Sequence, residues 1–166
     1  LEGLTAKPPR PLLFLNIEPE SMQDPSLGDA EFVERLGAVG LKPPQVVFEM
    51  TEHSAIRDFE SIRASLRSLR ERGFRLAMDD VGSGYAGLQA IAEIAPDFIK
   101  VDMSLVRDLH DHPIKRELIS TIRRFTDTTC ITLVAEGVES PRELDSLLAA
   151  GVRCAQGFLF ARPAAP

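Results

Sequence analysis

The sequence predicts an α/β fold of the TIM-like (β/α) barrel type, with six of the barrel's eight strands in this chain. Short apolar runs alternate with helical patterns along the chain, which indicates a parallel sheet. The runs are almost continuously hydrophobic, as is typical of strands covered by helices. From Phe14 to Gly157 the units repeat about every 29 residues, against about 31 in an eight-unit barrel of 250 residues, and this spacing favours a barrel.

Each strand is predicted from a short apolar run. The six runs are Leu12–Asn16, Val46–Thr51, Arg75–Asp79, Phe98–Asp102, Thr132–Glu136 and Ala155–Phe160. Helices are expected near Asp29–Val39, Ile56–Arg72, Ala86–Ile94, Pro113–Asp127 and Pro141–Ala150. In the second helix Ile62, Leu66 and Leu69 recur at helical spacing. The positions after three helices suit C-cap glycines, and they hold Gly40, Gly73 and Gly151. The two remaining strands are expected upstream, because only a short proline-rich tail follows the sixth run.

The composition predicts one domain over residues 1–166, since 44% of the residues are hydrophobic and 27% are charged. A net charge of -6 and a pI near 5.1 disfavour a nucleic acid polymer as partner. No apolar run approaches the roughly 20 residues of a membrane span, so we expect no membrane segment in this chain and a cytoplasmic protein. The cysteines Cys130 and Cys154 lack the spacing of a zinc site.

Polar side chains stand at the ends of all six predicted strands. They are Asn16, Glu49, Glu52, Asp79, Asp80, Lys100, Asp102, Glu136, Glu139 and Gln156. Because the carboxyl ends of parallel strands lie at one face of a barrel, we expect these groups to converge there. Lys100 and Asp102 are two residues apart and should share one side of their strand. A single acid at a strand end is usually an N-cap, but six such ends in succession indicate a functional site.

The acidic residues of this face predict bound cations. Two carboxylates about 5 Å apart repel by roughly 3 kcal/mol at an effective dielectric constant of 20. Several such pairs would rival a whole folding free energy of about 5–15 kcal/mol. Lys100 alone cannot balance four carboxylates, namely Glu49, Asp79, Asp80 and Glu136. Hard oxygen ligands of this kind suit Mg²⁺ or Mn²⁺.

The pair Asp79-Asp80 is followed by a glycine-rich turn, Val81-Gly82-Ser83-Gly84-Tyr85. The glycines permit a tight loop close to a ligand. No Gly-Lys-Ser or Gly-Lys-Thr follows, so the turn is not a phosphate-binding Walker loop.

Read in order, six motifs resemble those of the EAL family, which comprises bacterial phosphodiesterases for cyclic di-GMP built on a modified barrel. The motifs are Asn16-Ile17-Glu18-Pro19, Glu49-Met50-Thr51-Glu52, Asp79-Asp80-Val81-Gly82-Ser83-Gly84-Tyr85, Lys100-Val101-Asp102, Ala135-Glu136-Gly137-Val138-Glu139 and Gln156-Gly157-Phe158. Each motif is modest alone, but the series covers essentially the whole chain and is specific.

The resemblance implies hydrolysis of cyclic di-GMP to linear pGpG with two metal ions. Asn16, Glu49 and Asp79 would hold the first ion, and Asp79 would bridge to a second ion held by Asp80. Glu136 would stand beside the second ion, directly or through water. Lys100 would orient the attacking water or help to deprotonate it.

The resemblance also assigns a surrounding set of residues. Glu52 would brace the loop with Gly82, Ser83 and Tyr85. The substrate and water pocket would be shaped by Asp102, Glu139 and Gln156. The family's Glu-Ala-Leu motif should precede Asn16 by a few tens of residues, so the chain is expected to be an N-terminally incomplete EAL-like domain. A regulatory or GGDEF-type domain is expected upstream.

Three other functions are compatible with parts of the sequence. The first is a catalytically inactive module that binds cyclic di-GMP or another protein. The second is a truncated interaction piece, since an open six-strand barrel exposes two sheet edges that invite pairing and a homodimer. The third is Mg²⁺-assisted proton abstraction with Lys100 as base, which the ordered motif series disfavours.

Overall fold

The computed structural model describes residues 11–51, 59–82 and 87–162. Their strands form one parallel sheet in the order in which they occur in the chain. The strands are β1 (Leu13–Asn16), β2 (Val46–Thr51), β3 (Arg75–Val81), β4 (Phe98–Val101), β5 (Thr132–Ala135) and β6 (Cys154–Ala155). The prediction of a six-stranded, TIM-like β/α arrangement is therefore confirmed.

The helices lie between the strands. They are α1 (Pro19–Met22), α2 (Ala30–Ala38), α3 (Phe59–Glu71), α4 (Gly87–Ile94), α5 (Met103–Val106), α6 (Pro113–Thr129) and α7 (Pro141–Ala149), with 3-10 turns at Pro43–Gln45 and Leu109–Asp111. The sequence did not predict the four-residue helices or the 3-10 turns. Positive φ angles of 78°, 88° and 80° at Gly40, Gly73 and Gly151 confirm the three C-cap glycines. No helix in the described part of the chain has the length and apolar character that a membrane crossing requires.

The main core lies between the convex face of the sheet and the helices. Val46, Phe48 and Met50 alternate along β2 and point into it. From α3, the predicted stripe of Ile62, Leu66 and Leu69 is buried in the same cluster. Three or more buried aliphatic side chains on one helix face are what hold such a helix to a sheet.

A second apolar cluster lies on the opposite, concave face of the sheet. Its buried members are Val47, Ala77, Phe98 and Val134, and Leu12 and Phe14 pack against them. The rings of Phe14 on β1 and Phe98 on β4 are 5.3 Å apart between centroids and meet edge to face. Two strands separate β1 from β4, and in a flat sheet they would lie about 14 Å apart. The ring contact shows that the sheet curls into part of a barrel.

The sixth strand differs from its prediction. The apolar run Ala155–Phe160 was expected to be strand, but β6 ends at Ala155. Beyond that residue the backbone bonds to the loop after β5, because Val138 donates its N–H to Gln156 O and accepts from Leu159 N. An added Cβ at Gly157 would lie 2.3 Å from Val138 backbone atoms, so the chain turns there with its backbone against the loop. None of the described strands pairs with the remaining residues of the run.

Candidate active site

The polar groups of the concave face form a layer directly above the apolar cluster. Each follows its strand's apolar residue by two positions, so the pairs Phe14 and Asn16, Val47 and Glu49, Ala77 and Asp79, Phe98 and Lys100, and Val134 and Glu136 repeat one pattern. Side chains two residues apart on a strand point the same way. The strands therefore carry this layer to the carboxyl-end rim of the half-barrel, as the sequence predicts.

A β-bulge in β3 brings two adjacent acids to this rim. In the pairing with β4, Met78 aligns with Ile99 and Val81 aligns with Val101, so β3 holds one extra residue. Asp80 adopts a left-handed backbone with φ of 58° at this point. In a regular strand Asp79 and Asp80 would point to opposite faces. The strand was predicted to end at Asp79, and the bulge that extends it to Val81 was not predicted.

Lys100 lies at the centre of the acidic layer. Its Nζ is 3.0 Å from Glu49 Oε1, 3.1 Å from Asp79 Oδ1 and 2.5 Å from Glu136 Oε1, and its side chain is only 7% exposed. Glu49 is on β2, two strands away from β4, so the curl of the sheet is what allows this contact. The site thus brings together charged groups from β2, β3 and β4 and from the residue that directly follows β5.

The electrostatics of the layer follow from its burial. Burial alone would lower the pKa of the Lys100 ammonium, but the hydrogen bonds to Glu136 and Glu49 and the charge of Asp79 outweigh it and raise that pKa. Burial also raises the pKa of the carboxyls of Glu49 and Glu136, against the opposing effect of Lys100. With Asp80 included, four ionised carboxylates and one ammonium would leave an excess of three negative charges. The site therefore favours further cations.

The donor set fits a divalent ion. Carboxylate oxygens of Asp79, Asp80 and Glu136 all lie within 4.8 Å of one another. Gln156 Nε2 donates a hydrogen bond of 2.6 Å to Glu136 Oε1 and so orients that carboxylate. Asn16 aligns with Glu49 in the pairing of β1 with β2, which puts an amide at the edge of the same layer. All-oxygen donors of this kind are the ligands that Mg²⁺ and Mn²⁺ prefer.

The remaining predicted site residues are less central. Asp102 does not continue β4; it is the N-cap of α5, and its Oδ1 accepts from Ser104 N at 2.9 Å. Glu139 forms an exposed ion pair of 3.2 Å with Arg107. Gly82 follows β3 directly, against the side chain of Leu105. The predicted positions Glu52, Ser83 and Tyr85 lie outside the described residues.

A cavity of about 540 Å³ opens beside the acidic layer. Its walls include the predicted residues Glu139 and Gln156, together with Met103, Phe158 and Arg162. The guanidinium of Arg162 stands 5.2 Å from the centre of the exposed Phe158 ring. The sequence reasoning missed Met103 and Arg162, because neither is at a strand end. Phe158 entered only as part of the last motif, where a strand was expected.

Such an arrangement can bind divalent ions, hold an anionic substrate beside them and present an ammonium group to the reacting atoms. An aromatic ring and an arginine next to the cavity suit a planar or anionic ligand group.

Comparisons with known proteins agree with the fold. The sequence profile of the EAL domain family matches residues 2–163. The cyclic di-GMP phosphodiesterase RocR of Pseudomonas aeruginosa is 36% identical over 155 residues, or 91% of this chain and 38% of RocR. The blue light- and temperature-regulated antirepressor BluF of Escherichia coli is 28% identical over 151 residues, or 91% of this chain and 38% of BluF. The chain thus spans less than two fifths of the length of either relative.

Among solved structures, BlrP1 of Klebsiella pneumoniae in complex with manganese and cyclic di-GMP superimposes with a TM-score of 0.85. Its sequence identity is 41%, and the match covers 92% of this chain and 39% of BlrP1. The calcium complex of the same protein with cyclic di-GMP superimposes equally well.

Proposed function

The chain belongs to the EAL domain family, and on that premise we propose that it is the hydrolytic part of a divalent-metal-dependent phosphodiesterase that opens cyclic di-GMP to linear pGpG. The observation that carries the proposal is the convergence of Asp79, Asp80 and Glu136 within 4.8 Å of one another, beside Lys100. RocR is named as an enzyme of this activity, and BlrP1 binds the same dinucleotide.

The metal-holding roles would divide along the layer. Asn16, Glu49 and Asp79 would hold one ion, and Asp80, with Asp79 as the bridge and Glu136 beside it, would hold the second. Two ions, Mg²⁺ or Mn²⁺, would lower the pKa of a water molecule and neutralise charge on the phosphodiester. Gln156 would keep the Glu136 carboxylate oriented through its 2.6 Å hydrogen bond.

Lys100 would act as a charged donor in this site. Its ammonium, with a raised pKa, stays protonated at neutral pH and can orient water or a phosphate oxygen through the protons it shares with the carboxylates.

The cavity beside the layer would receive one nucleotide unit of the substrate. The Phe158 ring offers a surface on which a guanine base can stack, and Arg162 offers a cation for its phosphate or carbonyl oxygens. A base bound there would place the phosphodiester toward Glu136 and Lys100.

The test is turnover by the natural protein, with whatever further sequence it carries. We expect purified protein to convert cyclic di-GMP to pGpG with Mg²⁺ or Mn²⁺, as followed by chromatography, and to lose the reaction on chelation. Asp79→Asn should lower kcat/KM by at least about a hundredfold, since even residues behind metal ligands contribute about ten- to a hundredfold. Asp145→Asn makes the same chemical change at an exposed position of α7 and should be neutral. Absence of cyclic di-GMP hydrolysis by the wild type, or equal activity in the two variants, would overturn the proposal.

A second candidate is a catalytically inactive module that binds cyclic di-GMP or another protein. The observation in its favour is the similarity to BluF, whose name is that of an antirepressor. Calorimetric binding of cyclic di-GMP without any pGpG formed in Mg²⁺ or Mn²⁺ would favour this candidate. A homodimer and an upstream regulatory or GGDEF-type domain remain proposals for the whole protein.

A further inference from the structure

Glu143 is a buried acid outside the metal-binding layer, and its contacts reach two loops of the rim. It is the third residue of α7 and is 5% exposed. One oxygen, Oε2, accepts from Ser140 N at 2.9 Å and from Glu139 N at 3.0 Å. The other, Oε1, accepts from Asp108 N at 3.1 Å. A capping box needs only the bond to the N-cap residue, here Ser140, so two of these three bonds go beyond helix capping.

The two loops held by Glu143 carry residues of the site. The β5 loop (residues 136–140) begins with Glu136 and contains Glu139. The β4 loop (residues 102–112) begins with Asp102 and contains Asp108, which Glu143 reaches across 35 positions of sequence. Asp108 adopts φ of 55°, a left-handed conformation that a non-glycine residue keeps only when its surroundings fix it.

The two loops pack closely against each other. An added Cβ at Gly137 would lie 2.5 Å from Met103 Cβ, so the β5 loop backbone lies directly on the start of α5. The exposed ion pair between Arg107 and Glu139 joins the same two loops at the surface. Glu136 begins the β5 loop, and Glu139 and Ser140 end it. A displacement of Glu139 and Ser140 would therefore also displace Glu136.

The charge state of Glu143 fits this role. Burial would raise the pKa of its carboxyl, but the backbone hydrogen bonds from Glu139, Asp108 and Ser140 outweigh burial and lower that pKa. The side chain is therefore a carboxylate at neutral pH, and hydrogen bonds to charged acceptors are the strong kind.

We propose that Glu143 is a positioning residue: its carboxylate holds three backbone N–H groups of the β4 and β5 loops and thereby sets where Glu136 stands relative to Lys100. The part of this inference that concerns turnover rests on the proposed phosphodiesterase function. The part that concerns loop geometry does not.

The test compares Glu143→Gln with Ser140→Ala in the natural protein. Glutamine keeps the size of the side chain, but its amide nitrogen cannot accept, so at least one of the three N–H groups loses its acceptor. Ser140→Ala removes the helix cap and leaves the three bonds of Glu143 in place. We expect amide hydrogen exchange at Asp108 or at Glu139 and Ser140 to accelerate roughly ten- to a hundredfold in Glu143→Gln, as the loss of a bond to a charged group implies. Ser140→Ala should leave Asp108 unchanged.

The kinetic arm measures kcat and KM separately. Glu143→Gln should lower kcat about tenfold or more with a smaller change in KM, because a misplaced catalytic group slows the chemical step. Ser140→Ala should keep kcat. Equal kcat losses in the two variants, or unchanged exchange at all three amides, would overturn the inference. Absence of turnover in the wild type would count against the proposed phosphodiesterase function alone. The amide hydrogen exchange rates would then be the test of the role of Glu143.

If Glu143→Gln does not fold, a pH titration of the unmodified protein followed by NMR provides the test of the Glu143 contacts. The Glu143 carboxyl should titrate below its ordinary value of 4.5, and the amide protons of Asp108, Glu139 and Ser140 should shift with the same midpoint. Amides that shift at a different midpoint, or not at all, would contradict the proposed contacts.

Discussion

At the scale of single residues, the Lys100 ammonium lies within 3.1 Å of oxygens from three carboxylates, where its side chain is 7% exposed. The sequence predicted that Lys100 and these acids meet, because strand-end position alone brings them to one rim. It could not predict that Lys100 reaches Glu49 across an intervening strand, since that depends on the curvature of the sheet. Nor could it predict that Asp102 is the N-cap of α5 instead of the last residue of β4.

Removing the ammonium should cost stability in a metal-dependent way. We expect Lys100→Met to lower the free energy of unfolding by about 3 kcal/mol or more in a chelator, because buried carboxylates lose their counter-ion. Mn²⁺ should restore part of the loss by neutralising the same carboxylates. Urea unfolding with EDTA and with Mn²⁺ measures both.

Lys115 provides the control for that comparison. It donates to the carbonyl oxygens of Ser104 and Arg107, each at 2.7 Å, and none of its described contacts is with the acidic layer. Lys115→Met should therefore have the same effect with and without Mn²⁺. A Lys100→Met loss that is also independent of the ion would contradict the electrostatic account.

At the scale of elements, periodicity predicted five strands and five long helices to within a few residues, because each buries a regular face. Two of its errors come from contacts between segments that are far apart in sequence. β6 ends at Ala155 because the chain beyond it bonds to Val138. β3 continues past Asp79 because the bulge at Asp80 restores its pairing with β4 at Val81. Such contacts join residues distant in sequence, and a local pattern does not contain them.

The left-handed backbone conformation of Asp80 in the bulge can be tested with two substitutions that introduce uncharged side chains. Both Asp80→Asn and Asp80→Thr remove the same charge, so they differ mainly in backbone preference. Asparagine tolerates φ near 58°, whereas a β-branched residue does not. We expect Asp80→Thr to be about 1–2 kcal/mol less stable than Asp80→Asn by urea unfolding. Equal stability of the two variants would mean that the backbone relaxes out of this conformation.

At the scale of the whole molecule, curvature connects stability with the site. The concave apolar cluster supports the acidic layer above it, and the contact between Phe14 and Phe98 draws β1 toward β4. Among the described residues, β1 and β6 each pair on one side only.

Loss of the ring on β1 should weaken both the fold and the ion site. We expect Phe14→Ala to lower the free energy of unfolding by about 2 kcal/mol, less than the roughly 3–5 kcal/mol of a fully buried phenylalanine, because Phe14 is only partly buried. The stabilisation by Mn²⁺ should also shrink, since Asn16 and Glu49 depend on the curl.

Leu13→Ala is the matched control on the same strand, because Leu13 points to the other face and is 38% exposed. Thermal unfolding with and without Mn²⁺ measures the difference. If Phe14→Ala keeps the full stabilisation by Mn²⁺, the ring contact does not support the site.

The apolar cluster and the acidic layer are two residues apart on each strand. The site therefore depends on whether the number of residues in a strand changes by one or by two. Losing or gaining one residue within β2 or β4 would turn Glu49 or Lys100 toward the helices, whereas a shift of two would keep it on the concave face at another height. Among the described strands, only β3 holds one extra residue. There the left-handed Asp80 accommodates it, and the rim gains two adjacent acids in place of one. Insertions in related chains should therefore occur in the loops and not in the strands. The exception would be a strand in which a second bulge accommodates the extra residue and keeps the later side chains on their original face.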